Sequence, residues 1–309
     1  MKRIGMLTSG GDCQALNAAM RGVAKTLFNY SKEPVEIYGF LDGYKGLIYG
    51  KFRMLTWSDF SGILTKGGTI LGSSRTPFKL MREPDENGLN KVEAMKQTYY
   101  KLCLDCLVIL GGNGTQKTAN LLREEGLNII HLPKTIDNDI FGTDMTFGFQ
   151  SAVDIATNVM DYIHTTASSH RRIFIVELMG RDAGWLTLHA GIASGADVIL
   201  IPEIPYDLES VAETIERRKR QGRHYSILAV AEGAVAKGDA LLSEDERRAL
   251  KERSDYPTIS YRIAKELQTL TGQQTRVTIP GHYQRGGPPC PYDRVLATQF
   301  GSYAAQLVE

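Results

Sequence analysis

Long apolar runs are what this 309-residue chain most plainly lacks. Stretches such as Leu107 to Leu110 and Val198 to Ile201 fall far short of the roughly 20 residues a membrane span requires, so no membrane role is expected. The opening residues, MKRIGMLTSGGD, contain no extended apolar segment of the secretory kind. They read as a buried strand running into a glycine turn, which points to a cytoplasmic protein. Cysteine is scarce as well: Cys13, Cys103, Cys106 and Cys290 are too few and too scattered to staple a chain of this length. Cys103 and Cys106 make a single CxxC with no second pair or nearby histidine to complete four metal ligands, so apolar packing where a helix meets a strand is the expected use. Charge of one sign is missing too. Lys plus Arg number 36 against 35 Asp plus Glu, leaving no broad field to gather nucleic acid, so any anion binding must be local.

What the chain has is alternation. The short apolar runs KRIGMLT, VEIYGFL, CLVIL, NIIHL, RIFIVEL, DVILIP and SILAVA each adjoin a longer stretch with helical periodicity. This pattern predicts an α/β fold with mainly parallel sheets covered by helices on both faces. Ligands in such sheets bind beyond the carboxyl ends of strands, where the strand order switches. The loops there carry glycine: Gly10 and Gly11 after the first run, Gly111, Gly112 and Gly114 after CLVIL, and Gly180 after RIFIVEL. Backbone amides in such loops come close to bound anions, and phosphate is the obvious guest. The segment LLSEDERRALKER at 241–253 reads instead as a solvated helix.

Three loops carry candidate chemistry. TSGGD at 8–12 is either a structural turn or a phosphate cradle; it lacks the GxGxxG spacing of dinucleotide sites and the GKT or GKS of a P-loop. In GGNGT at 111–115, Thr115 is expected to cap the helix TQKTANLLREEG and to leave the preceding amides for phosphate. PKTIDND at 133–139 supplies Asp137 and Asp139, which face one side if the segment is extended. Phosphoryl transfer needs such a pair, one carboxylate accepting the proton of the attacking hydroxyl and another holding magnesium; a surface turn is the plainer alternative. Arg75, Arg172, Arg181, Arg276 and Arg285 are candidate phosphate ligands. His282 lies close to Arg285.

With TSGGD, GSSR, GGNGT, PKTIDND, SSHRRI, MGRDAG, IPE, GHYQRGG and PYDR following one another along the whole chain, the sequence resembles the 6-phosphofructokinase family. The resemblance implies two Rossmann-like domains, a donor domain formed by 1–148 with 286–309 and a sugar-phosphate domain at 149–285. It implies transfer of the terminal phosphoryl group of ATP to the 1-hydroxyl of fructose 6-phosphate, giving fructose 1,6-bisphosphate and ADP with magnesium. Asp137 would be the general base, Thr135 would hydrogen-bond near the reacting oxygen, and Arg75 and Arg181 would neutralise the transferred group. Asp139 would serve magnesium, with Asn113 beside it. Gly11, Tyr44, Arg75, Gly111, Gly112, Asn113, Gly114 and Thr115 would contact the nucleotide. Met179, Gly180, Arg181 and Glu232 would line the sugar site, and His282 and Arg285 would hold the 6-phosphate. Arg172 and Arg276 would reach a neighbouring subunit's site, which implies a homo-oligomer, expected to be a tetramer.

The donor rests on two residues that pull in opposite directions. Gly114 matches ATP users of the family, because a carboxylate there would crowd and repel the α-phosphate. Lys134 matches pyrophosphate users; ATP is expected on the steric argument, with pyrophosphate as the alternative. Three departures stand out: Asn113 where an aspartate is common, CQAL at 13–16 in place of smaller residues, and an end at Glu309 within the helix after PYDR, where relatives continue for several dozen residues. Asn113 and the short end motivate a second alternative, a catalytically silent binding subunit. A dinucleotide oxidoreductase is disfavoured because no GxGxxG follows the first strand.

Overall fold

Strands that read as unbroken apolar runs suit a parallel sheet buried on both faces, and two such sheets form here. The computed structural model describes residues 1–308. Its chain divides into two units, Met1–Ser151 with Arg285–Glu309, and Ala152–Gln284.

In the first unit, β1 (Lys2–Ser9), β2 (Val35–Phe40), β3 (Phe52–Leu55), β4 (Cys106–Gly111) and β5 (Ile129–Pro133) form one sheet in the order β3-β2-β1-β4-β5. All neighbours run parallel except β3, which is antiparallel to β2. Helices α1 (Leu16–Tyr30), α2 (Tyr44–Ile48), α3 (Lys91–Lys101) and α4 (Asn113–Glu124) connect the strands. Leu7, Phe40, Leu107, Ile109, Leu121 and Leu122 belong to its buried core, each contributing roughly 1.5–3 kcal/mol of transfer free energy.

Helix α5 (Phe149–His170) follows, and then β6 (Ile173–Leu178), α6 (Trp185–Ala193), β7 (Val198–Leu200), α7 (Leu208–Arg220), β8 (Ser226–Ala231), α8 (Glu244–Glu252), α9 (Ile259–Thr271) and β9 (Thr275–Thr278). The second unit's sheet has the order β7-β8-β6-β9 and is parallel throughout. Ile173, Ile175, Leu228, Val230, Ile263 and Leu267 are part of its core. Helix α10 (Pro291–Val308) returns to the first unit and lies against α1. All seven apolar runs are strands, and the charged segment is helical at α8. The two strands missed, β3 and β9, have only four residues each and carry Arg53 and Arg276, too short and too polar for a periodicity to register.

Register decides where the loops emerge. Thr8 pairs with Leu110 and Leu110 with Leu132; one residue on, Ser9 pairs with Gly111 and Gly111 with Pro133. The carboxyl ends of β1, β4 and β5 are therefore level, and TSGGD, GGNGT and PKTIDND leave the sheet side by side. The strand order switches between β1 and β4, the crevice at which ligands bind in such sheets.

The PYDR motif secures the start of α5. Asp293 is fully buried, and its carboxylate accepts both the Ser151 backbone N–H at 2.8 Å and the Ser151 hydroxyl at 2.6 Å. The same hydroxyl oxygen accepts the Cys290 N–H at 3.0 Å. Asp293→Ala is expected to destabilise the protein by roughly 2–3 kcal/mol, the cost of leaving charged-group hydrogen bonds unmade. Equilibrium denaturation should show it as a lower midpoint, and an unchanged midpoint would show that the network carries no stability.

Candidate active site

The turn after β1 has every carbonyl occupied. Gly10 O accepts the Ser73 hydroxyl at 2.6 Å, Gly11 O accepts the Lys134 ammonium, and Asp12 O accepts Arg285 Nη1 at 2.9 Å. In a trans peptide the C=O and the following N–H point in opposite directions. Turning these carbonyls into the protein therefore turns the Gly11 and Asp12 amides away from it, and neither finds an acceptor among the described residues. The Gly10 amide is committed, donating to Ser74 O at 3.1 Å. The Thr8 hydroxyl donates to Gly72 O at 2.8 Å, so GSSR is stitched along the first loop and the exposed Arg75 follows it.

A second set of amides comes from α4. A Cβ at Gly111 would lie 2.3 Å from Thr115 Cβ, so only glycine lets β4 turn directly into the helix. Gly112 is the N-cap, with φ −86° and ψ −167°, and the first helical bond runs from Gln116 N–H to Gly112 O at 2.9 Å. The amides of Asn113, Gly114 and Thr115 thus precede the helical ladder and sit at the positive end of the helix dipole. Together with Gly11 and Asp12 they form an arrangement suited to a chain of phosphates.

PKTIDND lies alongside. The Lys134 N–H donates to Gly111 O at 3.1 Å and the Asp137 N–H to Thr135 Oγ1 at 3.1 Å. The Lys134 side chain is only 3% exposed. Burial holds its pKa below the usual lysine value, and the neighbouring Asp137 and Asp12 pull it back up. Asn138 turns the chain with φ +50°, its side-chain oxygen accepting the Thr146 N–H at 2.8 Å. Asp139 is oriented by Asn113, whose Nδ2 donates to Asp139 Oδ2 at 2.8 Å and to Asp139 O at 3.0 Å.

The second unit holds its own cluster. Gly180 follows β6 with φ +143°, and a Cβ there would meet Ala183 O at 2.4 Å. The Glu232 carboxylate, just beyond β8, accepts the Gly180 and Arg181 amides at 3.2 and 2.8 Å. Met179 N–H donates to Gln284 Oε1 at 3.3 Å, and Gly184 N–H to Glu203 Oε1 at 2.7 Å. Arg181 is exposed and pairs with the equally exposed Asp182. Arg172 and Arg276 stand elsewhere: Arg172 precedes β6 and donates to Gln274 Oε1 at 3.0 Å, and Arg276 pairs with Phe174 near the start of that strand. At about 3.3 Å per residue the six-residue β6 separates them from Gly180 by roughly 20 Å. His282 is exposed in the short turn Gly281–Arg285.

Comparison with known families matches residues 3–308 to Phosphofructokinase. The chain belongs to the phosphofructokinase family. Among curated relatives, an ATP-dependent 6-phosphofructokinase of Spirochaeta thermophila is 54% identical, covering 99% of this chain and 84% of its own length. One of Propionibacterium freudenreichii subsp. shermanii is 49% identical over 99% and 86%. Among solved structures, phosphofructokinase from Saccharomyces cerevisiae superposes with a TM-score of 0.85 at 34% identity, covering all of this chain and 42% of the yeast chain.

Two sequence expectations, the cap at Thr115 and the extended relation of Asp137 to Asp139, need correction. Thr115 does not cap α4: the helix starts at Asn113, because the two preceding glycines let it begin early, and Thr115 is buried against Gly111 in the first turn. Tyr44 is buried and its hydroxyl donates to Thr115 O at 2.8 Å, bracing the first turn of α4. Asn113 turns its amide nitrogen, a donor, to Asp139 and so orients that carboxylate. The left-handed residue Asn138 interrupts the segment, so strand alternation is not what relates Asp137 to Asp139. Sequence reading missed the roles of Ser73, Glu203 and Gln284; only their places within GSSR, IPE and GHYQRGG hinted at them.

Close to Lys134, burial pushes the His131 imidazole down to about 4, the Lys134 cation adding to the effect while a hydrogen bond to the Gly111 backbone opposes it. The unfolded chain protonates this ring near pH 6.5 and the folded one only near 4, so stability is full above about 6.5 and is lost as pH falls between the two. His131→Gln is expected to flatten the stability curve across that window in pH-dependent thermal melts. An unaltered slope would remove His131 as the acid-sensitive group.

Proposed function

We propose that this chain transfers the terminal phosphoryl group of ATP to the 1-hydroxyl of fructose 6-phosphate, with the residue roles that follow. The observation that carries the reading is the convergence, on three level strand ends, of unpartnered amides with the Asp137 and Asp139 carboxylates. Identity above 40% to several ATP-dependent 6-phosphofructokinases supports the donor and the acceptor.

The amides of Gly11, Asp12, Asn113, Gly114 and Thr115 would cradle the triphosphate. Asp137 would take the proton of the attacking hydroxyl late in a loose transition state, which asks of the protein mainly alignment and charge. Thr135 would hydrogen-bond near the reacting oxygen, and Arg75 and Arg181 would neutralise the equatorial oxygens. Met179, Gly180 and Glu232 would line the sugar; the Glu232 carboxylate already orders the first turn of that loop. His282 and Arg285 would hold the 6-phosphate, Arg285 retaining donors beyond the Nη1 it gives to Asp12 O. Arg172 and Arg276, far along β6 from Gly180, would act in a neighbouring subunit's site of a homo-oligomer.

The exposed Asp139 carboxylate, held through one oxygen by Asn113, fits magnesium, which takes few protein ligands and keeps several waters. Bound there, the ion would neutralise charge on the donor phosphates.

A coupled assay of fructose 6-phosphate phosphorylation, run in parallel with ATP and with pyrophosphate, should give turnover with ATP. Turnover with pyrophosphate alone would reverse the donor, and sugar-phosphate binding without turnover from either would favour a silent subunit. Asp137→Asn is expected to lower kcat by about 10²–10⁴-fold with fructose 6-phosphate still bound; equal activity would sink the assignment of the base. A Cβ at Gly114 meets nothing within 4 Å, so Gly114→Asp should fold normally and weaken ATP use more than pyrophosphate use. Unchanged donor preference would count against the steric account.

A further inference from the structure

The proposed reaction leaves the side-chain chemistry of Lys134 in PKTIDND unused. It is a buried ammonium at the end of β5, and it reaches past the end of β4 to the loop that follows β1. Burying a charge costs several kcal/mol unless something is gained by it. Among the described residues its side chain donates to one atom, the carbonyl oxygen of Gly11.

That carbonyl belongs to the peptide whose other end is the Asp12 N–H. Planarity makes the two groups move together, so whatever holds Gly11 O also aims the Asp12 amide. The peptides on either side are held in the same manner by Ser73 at Gly10 O and Arg285 at Asp12 O. Three side chains from three distant parts of the sequence thus pin three consecutive peptide planes. Glycine at 10 and 11 offers little resistance to rotation, so the pinning must come from these partners.

We propose that Lys134 is a positioning residue for the phosphoryl donor: by holding the Gly11–Asp12 peptide it keeps the Asp12 amide aimed at the donor's phosphates. This rests on the reading of that loop as part of the nucleotide site. It differs from a direct role in which the ammonium touches the transferred phosphoryl group, and the two roles make different demands on the nucleotide. A misaimed amide weakens every nucleotide that uses the loop, whereas a lost contact to the terminal group weakens only those that possess it.

The test uses full-length protein and calorimetric binding of ADP and of a non-hydrolysable ATP analogue. Lys134→Met removes the donor and keeps the apolar stem; it is expected to weaken both nucleotides alike, by about tenfold, the worth of roughly one hydrogen bond, with fructose 6-phosphate affinity within twofold of wild type. Hydrogen exchange of the Gly11 and Asp12 amides should quicken. Lys134→Gln keeps an uncharged donor and should bind nucleotide more tightly than Lys134→Met; it also serves if the methionine variant does not fold. Loss confined to the ATP analogue, or affinities unchanged in both variants, would overturn the positioning role. Wild-type protein that binds neither nucleotide would instead overturn the reading of the loop as a donor site.

Discussion

The level register of β1, β4 and β5 is the constraint on which the first unit's chemistry depends. Because Ser9, Gly111 and Pro133 stand in one row, three loops drawn from separate parts of the sequence, the first more than a hundred residues before the other two, emerge within two strand spacings, roughly 10 Å. Each loop then supplies something the others lack. The first gives outward amides, the second a helix N-terminus, and the third the carboxylates and the buried cation that holds the first in shape.

A polar site on an apolar sheet requires that its own polar atoms be satisfied before a ligand arrives. The carbonyls of the β1 loop meet this by accepting from Ser73, Lys134 and Arg285. The Asp139 carboxylate meets it by accepting from Asn113. An aspartate at 113 would face Asp139 as a second anion, whereas the amide joins the two loops through a neutral donor. The departure from the family's usual residue is thus accommodated within the site, with one formal charge fewer there.

Lys134 illustrates how a residue's neighbours decide its meaning. As a letter in PKTIDND it resembles the lysine of pyrophosphate users, and it set the donor expectation against Gly114. In the fold its ammonium is engaged with Gly11 O, a role compatible with a nucleotide donor, and the curated relatives 54% and 49% identical to the chain are named as ATP-dependent. Cys13 shows the same lesson in reverse. It looked like an oddity of the nucleotide loop, yet it is fully buried and its thiol contacts Phe147 O at 3.5 Å, which makes it a packing residue with its pKa raised to about 11 by burial.

Sequence alone determined the elements, because apolar runs of strand length and glycine at strand ends are local properties that composition and spacing record, and the order of its motifs carried the resemblance that implied the reaction class. It placed seven strands, the loops that matter, and Asp137 as the base to test. It misread the start of α4 and the geometry between Asp137 and Asp139, since each depends on how the local backbone turns. Thr115 as a cap was reasonable until Gly111 allowed the helix to begin two residues earlier. Only the tertiary structure could decide what orients Asp139, what holds the Gly11 carbonyl and what Glu232 binds. Those partners lie 26, 123 and 51–52 residues apart, and no pattern along the chain encodes a hydrogen bond across such distances.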